Sequence, residues 1–208
     1  MKNDDVVITS AFRTAIGSFN GSLSSKTAPE LGSSVIKKCV ENSDLKKEEV
    51  DMIYMGQVLT AGVGQNPARQ STIFAGLSNE TTNTTVNQVC GSGLASVALA
   101  YNSVKCGDGK VIIAGGQESM SNAPHSINIR KDKKISNDKM KDTMIIDGLW
   151  DVYKGEPDIH PDYLNQTNVF ILPHLGSATI KTRTAMADLA ISNIEEYFKT
   201  GNCKNTVN

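Results

Sequence analysis

A cysteine at a glycine-flanked turn is the first feature of this chain that could do chemistry. Cys90 stands in Val-Asn-Gln-Val-Cys-Gly-Ser-Gly, residues 86–93, where a strand-like run gives way to a helical pattern. Free backbone N–H groups and the dipole at a helix start favour the thiolate, the nucleophilic form of cysteine. Gly91 and Gly93 leave room for a substrate and for a tight turn. The pattern predicts a covalent nucleophile, although a cysteine at a strand end is by residue type alone most often packed in the core.

A histidine after a second apolar run is the other reactive candidate. His174 stands in Pro-His-Leu-Gly-Ser-Ala-Thr, residues 173–179, directly after a predicted strand at residues 168–172. A histidine in this place could donate or accept a proton. His125 and His160 lie in loop-like sequence without a motif, and we interpret them as surface residues. The chain thus offers two reactive groups from different chemistries.

The elements that must position these groups alternate between strands and helices. Strands are predicted at residues 6–11, 52–58, 84–89, 111–116 and 168–172, and helices at residues 27–40, 66–77, 93–106 and 186–198. Thr27 and Glu30 form a capping-box pattern, Asn66 precedes a proline as an N-cap, and Gly107 follows the third helix. That third helix is apolar nearly all round, which is typical of a buried helix. The alternation predicts an α/β fold with a layered, mostly parallel sheet.

Composition and charge exclude several classes of function. Of the 208 residues 39% are hydrophobic and 21% charged, which is typical of a soluble globular protein. The net charge of -1 gives no electrostatic reason to expect nucleic acid or a membrane surface as a partner. No apolar stretch approaches the roughly 18 residues that span a bilayer. The first residues lack a signal-peptide pattern, so we expect a cytoplasmic protein.

The spacing of the cysteines excludes a zinc site. Cys39, Cys90, Cys106 and Cys203 include no Cys-x-x-Cys pair, so we expect free thiols and no metal. Cys39 and Cys106 fall in apolar helical sequence, and we expect them to be packed in the core. Cys203 lies in a polar tail without an assigned role.

Four ordered motifs resemble one enzyme family. They are Ser-Ala-Phe-Arg-Thr-Ala-Ile-Gly-Ser-Phe at residues 10–19, Gly-Gln-Asn-Pro-Ala-Arg-Gln at residues 64–70, Asn-Gln-Val-Cys-Gly-Ser-Gly-Leu at residues 87–94 and Ala-Gly-Gly-Gln-Glu-Ser-Met-Ser at residues 114–121. Through them the chain up to about residue 150 resembles the N-terminal part of a thiolase of the acetyl-CoA acetyltransferase type. The resemblance implies that Cys90 forms a thioester with an acyl group taken from CoA. It also implies a CoA ester as substrate, no tightly bound cofactor, and a homo-oligomer with dimer contacts at residues 65–69.

The chain departs from the thiolase pattern in three motifs. The family supplies a histidine from Gly-His-Pro, an Asn-Glu-Ala-Phe segment and a second cysteine in Cys-x-Gly-Gly-Gly, and none of these occurs in the 208 residues. By the resemblance, the histidine would activate the nucleophile and the second cysteine would move the proton in Claisen condensation. We therefore expect the chain alone to be inactive or severely impaired.

Residues 151–208 resemble a different family, at the C-terminal end of a D-2-hydroxyacid dehydrogenase of the glyoxylate/hydroxypyruvate reductase kind. The motif around His174 carries this resemblance, together with Asp-Val-Tyr at residues 151–153 and Gly-Glu-Pro at residues 155–157. It implies that His174 donates a proton to the substrate carbonyl during hydride transfer from NAD(P). The Gly-x-Gly-x-x-Gly nucleotide loop and the arginine and glutamate of that family are missing, so we expect His174 to be idle. Alternatively, His174 serves as the base for Cys90.

The two resemblances predict a boundary near residue 150. Residues 1–150 would form a truncated thiolase N-terminal-like domain, and residues 151–208 a strand-helix fragment of a Rossmann-type dehydrogenase. A fusion of gene fragments, or an assembly error in the source sequence, would explain the junction. The predicted function is that of an acyl-CoA acetyltransferase with Cys90 as nucleophile. The alternatives are an NAD(P)-dependent D-2-hydroxyacid dehydrogenase and a non-catalytic fusion remnant.

Overall fold

The computed structural model describes residues 5–130 and 139–150, together with five helical residues further on: Asp188, Ser192, Glu196, Lys199 and Thr200. The chain divides into two compact units, Met1–Asp151 and Val152–Asn208. His160, His174, the predicted strand at residues 168–172 and most of the predicted closing helix lie outside the described residues. Within the described part of the chain, no helix is both long and apolar enough for a membrane crossing.

A parallel sheet forms the centre of the first unit. Its strands are β1 (Met52–Gly56), β2 (Thr82–Val86) and β3 (Ile112–Gly116), and a separate antiparallel pair joins β4 (His125–Ser126) to β5 (Lys141–Asp142). The sheet order is β2-β1-β3. Gly56 is in register with Val86 on one side and with Gly116 on the other, so the carboxyl ends of the three strands share one edge. The predicted parallel α/β fold is confirmed.

Two capped helices cover one face of this sheet, α1 (Ala28–Asn42) and α2 (Pro67–Phe74). The Thr27 hydroxyl accepts a hydrogen bond from the Glu30 N–H, and the Glu30 carboxylate accepts one from the Thr27 N–H. The predicted capping box is therefore confirmed. Asn66 caps α2 as predicted, because its side-chain oxygen accepts from the N–H of Arg69.

The hydrophobic core lies between these two helices and the sheet. Its buried members are Ile36, Val40, Val50, Ile53, Met55, Ala68, Ala75 and Leu77. Successive side chains of a strand point to opposite faces. Ile53 and Met55 of β1 therefore face α1 and α2, whereas Tyr54 and Gly56 face the other side of the sheet.

A third helix, α3 (Ser92–Cys106), lies on that other side. Its buried face consists of small residues at helical spacing: Ser92, Ser96, Ala100 and Ser103. The Tyr54 hydroxyl is 2.9 Å from the Ser103 hydroxyl, in hydrogen-bond contact. The small side chains allow the helix to approach the strands closely, so that β1 is covered on both faces.

The beginning of α3 contacts the sheet backbone directly. A Cβ atom placed on Gly56 would lie 2.6 Å from the carbonyl carbon of Ser92 and 2.8 Å from the nitrogen of Gly93. A Cβ on Gly116 would lie 3.5 Å from the Cα of Gly93. Real side chains do not approach backbone atoms as closely as a Cβ at Gly56 would. The first turn of α3 keeps its position because β1 ends in glycine.

The prediction that α3 is buried all round is wrong. Leu94 is 77% exposed, and Val97, Leu99 and Tyr101 are also exposed. The physical reason is that the small, partly polar residues, not the large apolar ones, form the face that fits against the glycine-containing strands. Hydrophobic content alone does not show which face of a helix packs.

The predicted strand at residues 6–11 is also wrong. Residues 5–18 have no regular secondary structure, and Ile8 is 79% exposed. Strand preference depends on pairing and burial rather than on the β-branched residues themselves. The sheet formed by β1, β2 and β3 does not include this segment, whose Ser10 hydroxyl instead donates to the carbonyl of Cys39 in α1.

Several element boundaries, including the end of β1 at Gly56, differ slightly from the prediction. β2 ends at Val86 and not at residue 89, and α2 ends at Phe74 and not near residue 77. Gly107 ends α3 as predicted, with a φ of 82° that favours glycine. The earlier end of β2 leaves residues 87–91 free to form a turn.

The contact at Gly56 predicts a specific loss of stability. We expect Gly56→Ala to lower the free energy of unfolding by about 1–3 kcal/mol, the usual cost of forcing an extra group into a packed site. Gly115→Ala is the matched control, because its Cβ would meet the Met55 sulfur at an ordinary 3.6 Å. Urea unfolding of both variants measures the difference. Equal effects of the two substitutions would contradict the direct contact.

Candidate active site

The turn that carries Cys90 joins the end of β2 to the start of α3. The N–H of Gly91 donates to the carbonyl of Gln88, and the N–H of Ser92 to that of Val89, each over 3.0 Å. Val89 has a φ of 48°, in the left-handed region that β-branched residues avoid. Such strain persists only where surrounding contacts enforce it. The turn is therefore held by its neighbours and not by the preference of its own residues.

Ser92 provides two of these contacts with one hydroxyl. It donates to the carbonyl of Val89 over 2.6 Å and accepts from the N–H of Gln88 over 2.9 Å. Its side chain is buried at the contact between α3 and Gly56. A single buried hydroxyl thus closes the turn around Cys90. The sequence analysis missed this role, although the position directly after Gly91 in the motif could have suggested it.

Cys90 is an exposed free cysteine two residues before α3. The N-cap of the helix is Gly91, which has no side chain to occupy the N–H groups of the first turn. These groups and the dipole of a 15-residue helix stabilise a negative charge near the helix start. The predicted place of Cys90, between a strand and a helix, agrees with the structure. The arrangement presents a free thiol that solvent and small molecules can reach.

The other described cysteines differ from Cys90 in their positions. Cys39 is partly buried in α1 and is not among the residues of the hydrophobic core described above. Cys106 is exposed at the last position of α3, so the prediction that it is packed in the core is wrong. It falls on the exposed side of a helix whose buried face is made of smaller residues. Cys90 and Cys106 thus mark the two ends of one helix.

A buried polar cluster lies behind the ends of β1 and β3. The Gln117 amide donates to the side-chain oxygen of Gln57 over 2.8 Å, and the Ser71 hydroxyl donates to the side-chain oxygen of Gln117. All three side chains are buried. Gly32 of α1 leaves space for Gln117, since a Cβ there would meet the Gln117 oxygen. The cluster fixes the two strand ends to α1 and α2, and no local signal in the sequence indicated it.

Glu118 follows this cluster and binds the segment after β1. Its carboxylate accepts from the N–H of Val58 over 2.8 Å and from that of Leu59 over 3.1 Å. Burial raises the pKa of Glu118 above its ordinary value, and the hydrogen bonds from Val58, Leu59 and Ser119 counteract part of that rise. The carboxylate thereby connects the ends of β3 and β1.

An open cleft lies beside the turn, and Cys90 does not line it. Its walls include Asn87 of the turn, Asn83 of β2, Asn66 and Gly64. Among the described residues, no group of three or more histidine, cysteine and carboxylate side chains could hold a metal ion.

The structure does not bring a histidine to Cys90 within its described residues. His125, the histidine they include, lies on β4 with its Nε2 atom 4.0 Å from the Asp142 carboxylate on β5. Its exposure agrees with the interpretation as a surface residue. His160 and His174 are outside the described residues, so the pairing of His174 with Cys90 stays a hypothesis.

The two hydrogen bonds of the Ser92 hydroxyl predict that Ser92 contributes more to stability than Ser96 does. Ser92→Ala should lower the free energy of unfolding by roughly 1–3 kcal/mol, because it leaves the Gln88 N–H and the Val89 carbonyl without this partner. Ser96→Ala is the matched control on the same buried face, since the Ser96 hydroxyl bonds only to the Ser92 carbonyl within the helix. Thermal or urea unfolding measures both. A cost for Ser92→Ala no greater than that for Ser96→Ala would contradict the closing role of Ser92.

Known proteins are similar in sequence to this chain over about three quarters of its length. An acetyl-CoA acetyltransferase of Cupriavidus necator is 55% identical over 150 residues, which cover 72% of this chain and 38% of the relative. An acetyl-CoA acetyltransferase of Rhizobium meliloti is 52% identical over 155 residues, or 74% of this chain and 39% of the relative. A probable acetyl-CoA acetyltransferase of Escherichia coli is 48% identical over 150 residues, with coverages of 72% and 38%.

The chain therefore spans about two fifths of the length of the curated relatives that it matches. The model of the thiolase N-terminal domain matches residues 6–158, and so extends past the predicted boundary at residue 150. The predicted dehydrogenase resemblance of residues 151–208 stays a prediction. Through the match over residues 6–158, which includes the turn at Cys90, this chain belongs to the thiolase family.

Proposed function

We propose that Cys90 accepts an acyl group from a CoA ester and carries it as a thioester. The observation that carries the proposal is the position of an exposed, free thiol on a strained turn directly before α3. The position falls within the region that is 55% identical to an acetyl-CoA acetyltransferase. We propose acetyl-CoA as the acyl donor on the strength of that relative's name.

The chemical step is an exchange between two thioesters. The Cys90 thiolate attacks the carbonyl carbon of the acyl-CoA, a carbon–sulfur bond to Cys90 forms, and the bond to the CoA sulfur breaks. The CoA thiolate leaves and takes up the proton that the Cys90 thiol gave up. Backbone N–H groups near the start of α3, among them that of Cys90, are suited to stabilise the developing negative charge on the carbonyl oxygen. No cofactor is consumed.

We further propose that the chain alone performs this step once and does not turn over. The absence of the Gly-His-Pro, Asn-Glu-Ala-Phe and Cys-x-Gly-Gly-Gly motifs supports this, because they would supply the base and the second proton-transfer group. Loss of one general acid or base typically costs on the order of 10²–10⁴-fold in rate. In the described part of the chain, no histidine side chain replaces them at Cys90.

Self-association through residues 65–69 is a further part of the proposal. Gln65 is exposed, which supports a role in contacts between copies. Arg69 is engaged within the chain, since its guanidinium donates to the carbonyls of Asn79 and Thr81. The Asn66 amide is engaged as well, since it donates to the Asn83 carbonyl and accepts from the Arg69 N–H and the Thr85 hydroxyl. The exposed Gln65 side chain would therefore make such contacts.

The proposed function predicts stoichiometric labelling by acetyl-CoA. Incubation of the folded chain with acetyl-CoA should add one acetyl group at Cys90, as measured by intact mass and peptide mapping. Cys90→Ala should abolish the label, and Cys106→Ala, which removes another exposed thiol, should retain it. Acetoacetyl-CoA thiolysis should not exceed that of Cys90→Ala.

Two results would contradict parts of this account. A label spread equally over Cys39, Cys90 and Cys106, or none at all, would overturn the role of Cys90. Multiple turnovers that vanish in Cys90→Ala would overturn the single-step proposal. If His174→Ala also abolished those turnovers, His174 would be the base.

A further inference from the structure

A carboxylate at the carboxyl end of the sheet is bonded to the segment that follows β1. The two oxygens of Glu118 accept from the successive N–H groups of Val58 and Leu59, over 2.8 and 3.1 Å. Each carboxylate oxygen accepts from one of two consecutive N–H groups, whereas a glutamine at this position would turn a donor NH2 group toward one of them. Burial raises the pKa of Glu118, so placing a charge here carries a desolvation cost. If this residue were needed only for packing, a neutral side chain would fill the site without the desolvation cost.

The same segment is connected to the turn that carries Cys90. The Asn87 amide nitrogen lies 3.5 Å from the carbonyl oxygen of Val58, a long hydrogen bond. The Asn87 side-chain oxygen accepts from the N–H of Val89 over 3.0 Å. Val89 is the residue with a φ of 48°, directly before Cys90. Hydrogen bonds therefore run without interruption from Glu118 through Val58 and Asn87 to the strained residue.

We propose that Glu118 and Asn87 are positioning residues that hold Cys90 at the start of α3. This proposal extends the proposed function of Cys90 and rests on it. Glu118 fixes Val58, Val58 fixes Asn87, and Asn87 holds Val89 in the left-handed conformation that the turn requires. Neither residue exchanges a proton or a bond with the substrate.

The other end of the sheet contains a natural control. The Asp51 carboxylate accepts from the N–H groups of Lys110 and Val111 over 2.7 and 3.0 Å, and so connects the amino ends of β1 and β3. The arrangement is the counterpart of Glu118 at the far end of the same strands. Loss of Asp51 should loosen the sheet without affecting the turn at Cys90.

The test measures the rate of Cys90 alkylation by iodoacetamide relative to that of Cys106 in the same molecules. We expect Glu118→Gln to slow the alkylation of Cys90 by about fivefold, which is the fold-change for one lost hydrogen bond of ordinary strength. Removal of a negative charge would by itself favour the thiolate and speed the reaction, so a decrease identifies positioning. Asp51→Asn should leave the ratio unchanged even where it lowers stability.

Asn87→Ser tests the connection from the other side and without a change in charge. Serine keeps an acceptor for the Val89 N–H but is too short for Val58. Asn87→Ser should slow the alkylation of Cys90 by a similar factor. In the double variant of Glu118 and Asn87 the alkylation should be no slower than in the slower single variant, because both changes interrupt one chain of contacts. If Glu118→Gln fails to fold, the alkylation rate of Asn87→Ser alone decides whether the proposal holds.

Three results would overturn the proposal. The first is an unchanged rate of Cys90 alkylation in Asn87→Ser. The second is a decrease of that rate in Asp51→Asn equal to the decrease in Glu118→Gln. The third is a double variant of Glu118 and Asn87 in which the two decreases multiply. Alkylation needs no acyl donor. The measurement therefore succeeds or fails independently of whether acetyl-CoA acylates Cys90, and the two failures can be told apart.

Discussion

Close contact between the backbone of α3 and the strand ends determines the position of Cys90. Gly56 and Gly116 end β1 and β3 without side chains, so the first turn of α3 lies directly on the sheet. Ser92 is at that contact, and its hydroxyl also closes the turn that holds Cys90. The position of the thiol is thus set by residues on three separate segments. A helix start held in this way presents its N–H groups in a fixed direction.

Local chemistry explains the parts of the fold that the sequence predicted. The capping box at Thr27, the N-cap at Asn66 and the glycine after Cys106 act within a few residues of themselves, and each helix begins or ends where these signals stand. The short apolar run Met-Ile-Tyr-Met-Gly at residues 52–56 became β1, which has helices packed on both faces. The place of Cys90 between a strand and a helix followed from the same local signals.

Long-range contacts explain the parts of the fold that the sequence did not predict. Ile8 lies in a β-branched run, yet no strand of the described sheet pairs with it. The apolar residues of α3 were recognised, but the face that packs was decided by Gly56 on a distant strand, so Leu94 is exposed. Glu118 reaches a segment about 60 residues away in the chain. Such partners are set by the fold, and a single sequence does not show them.

The two exposed thiols at opposite ends of α3 allow the most direct test of the central claim. If the start of α3 activates Cys90, iodoacetamide should alkylate Cys90 faster than Cys106 in the folded chain near neutral pH, because the helix dipole favours a thiolate at its start and disfavours one at its end. The advantage should vanish in urea, where both thiols lie in unfolded chain. Equal rates for Cys90 and Cys106 in the folded protein would contradict the account.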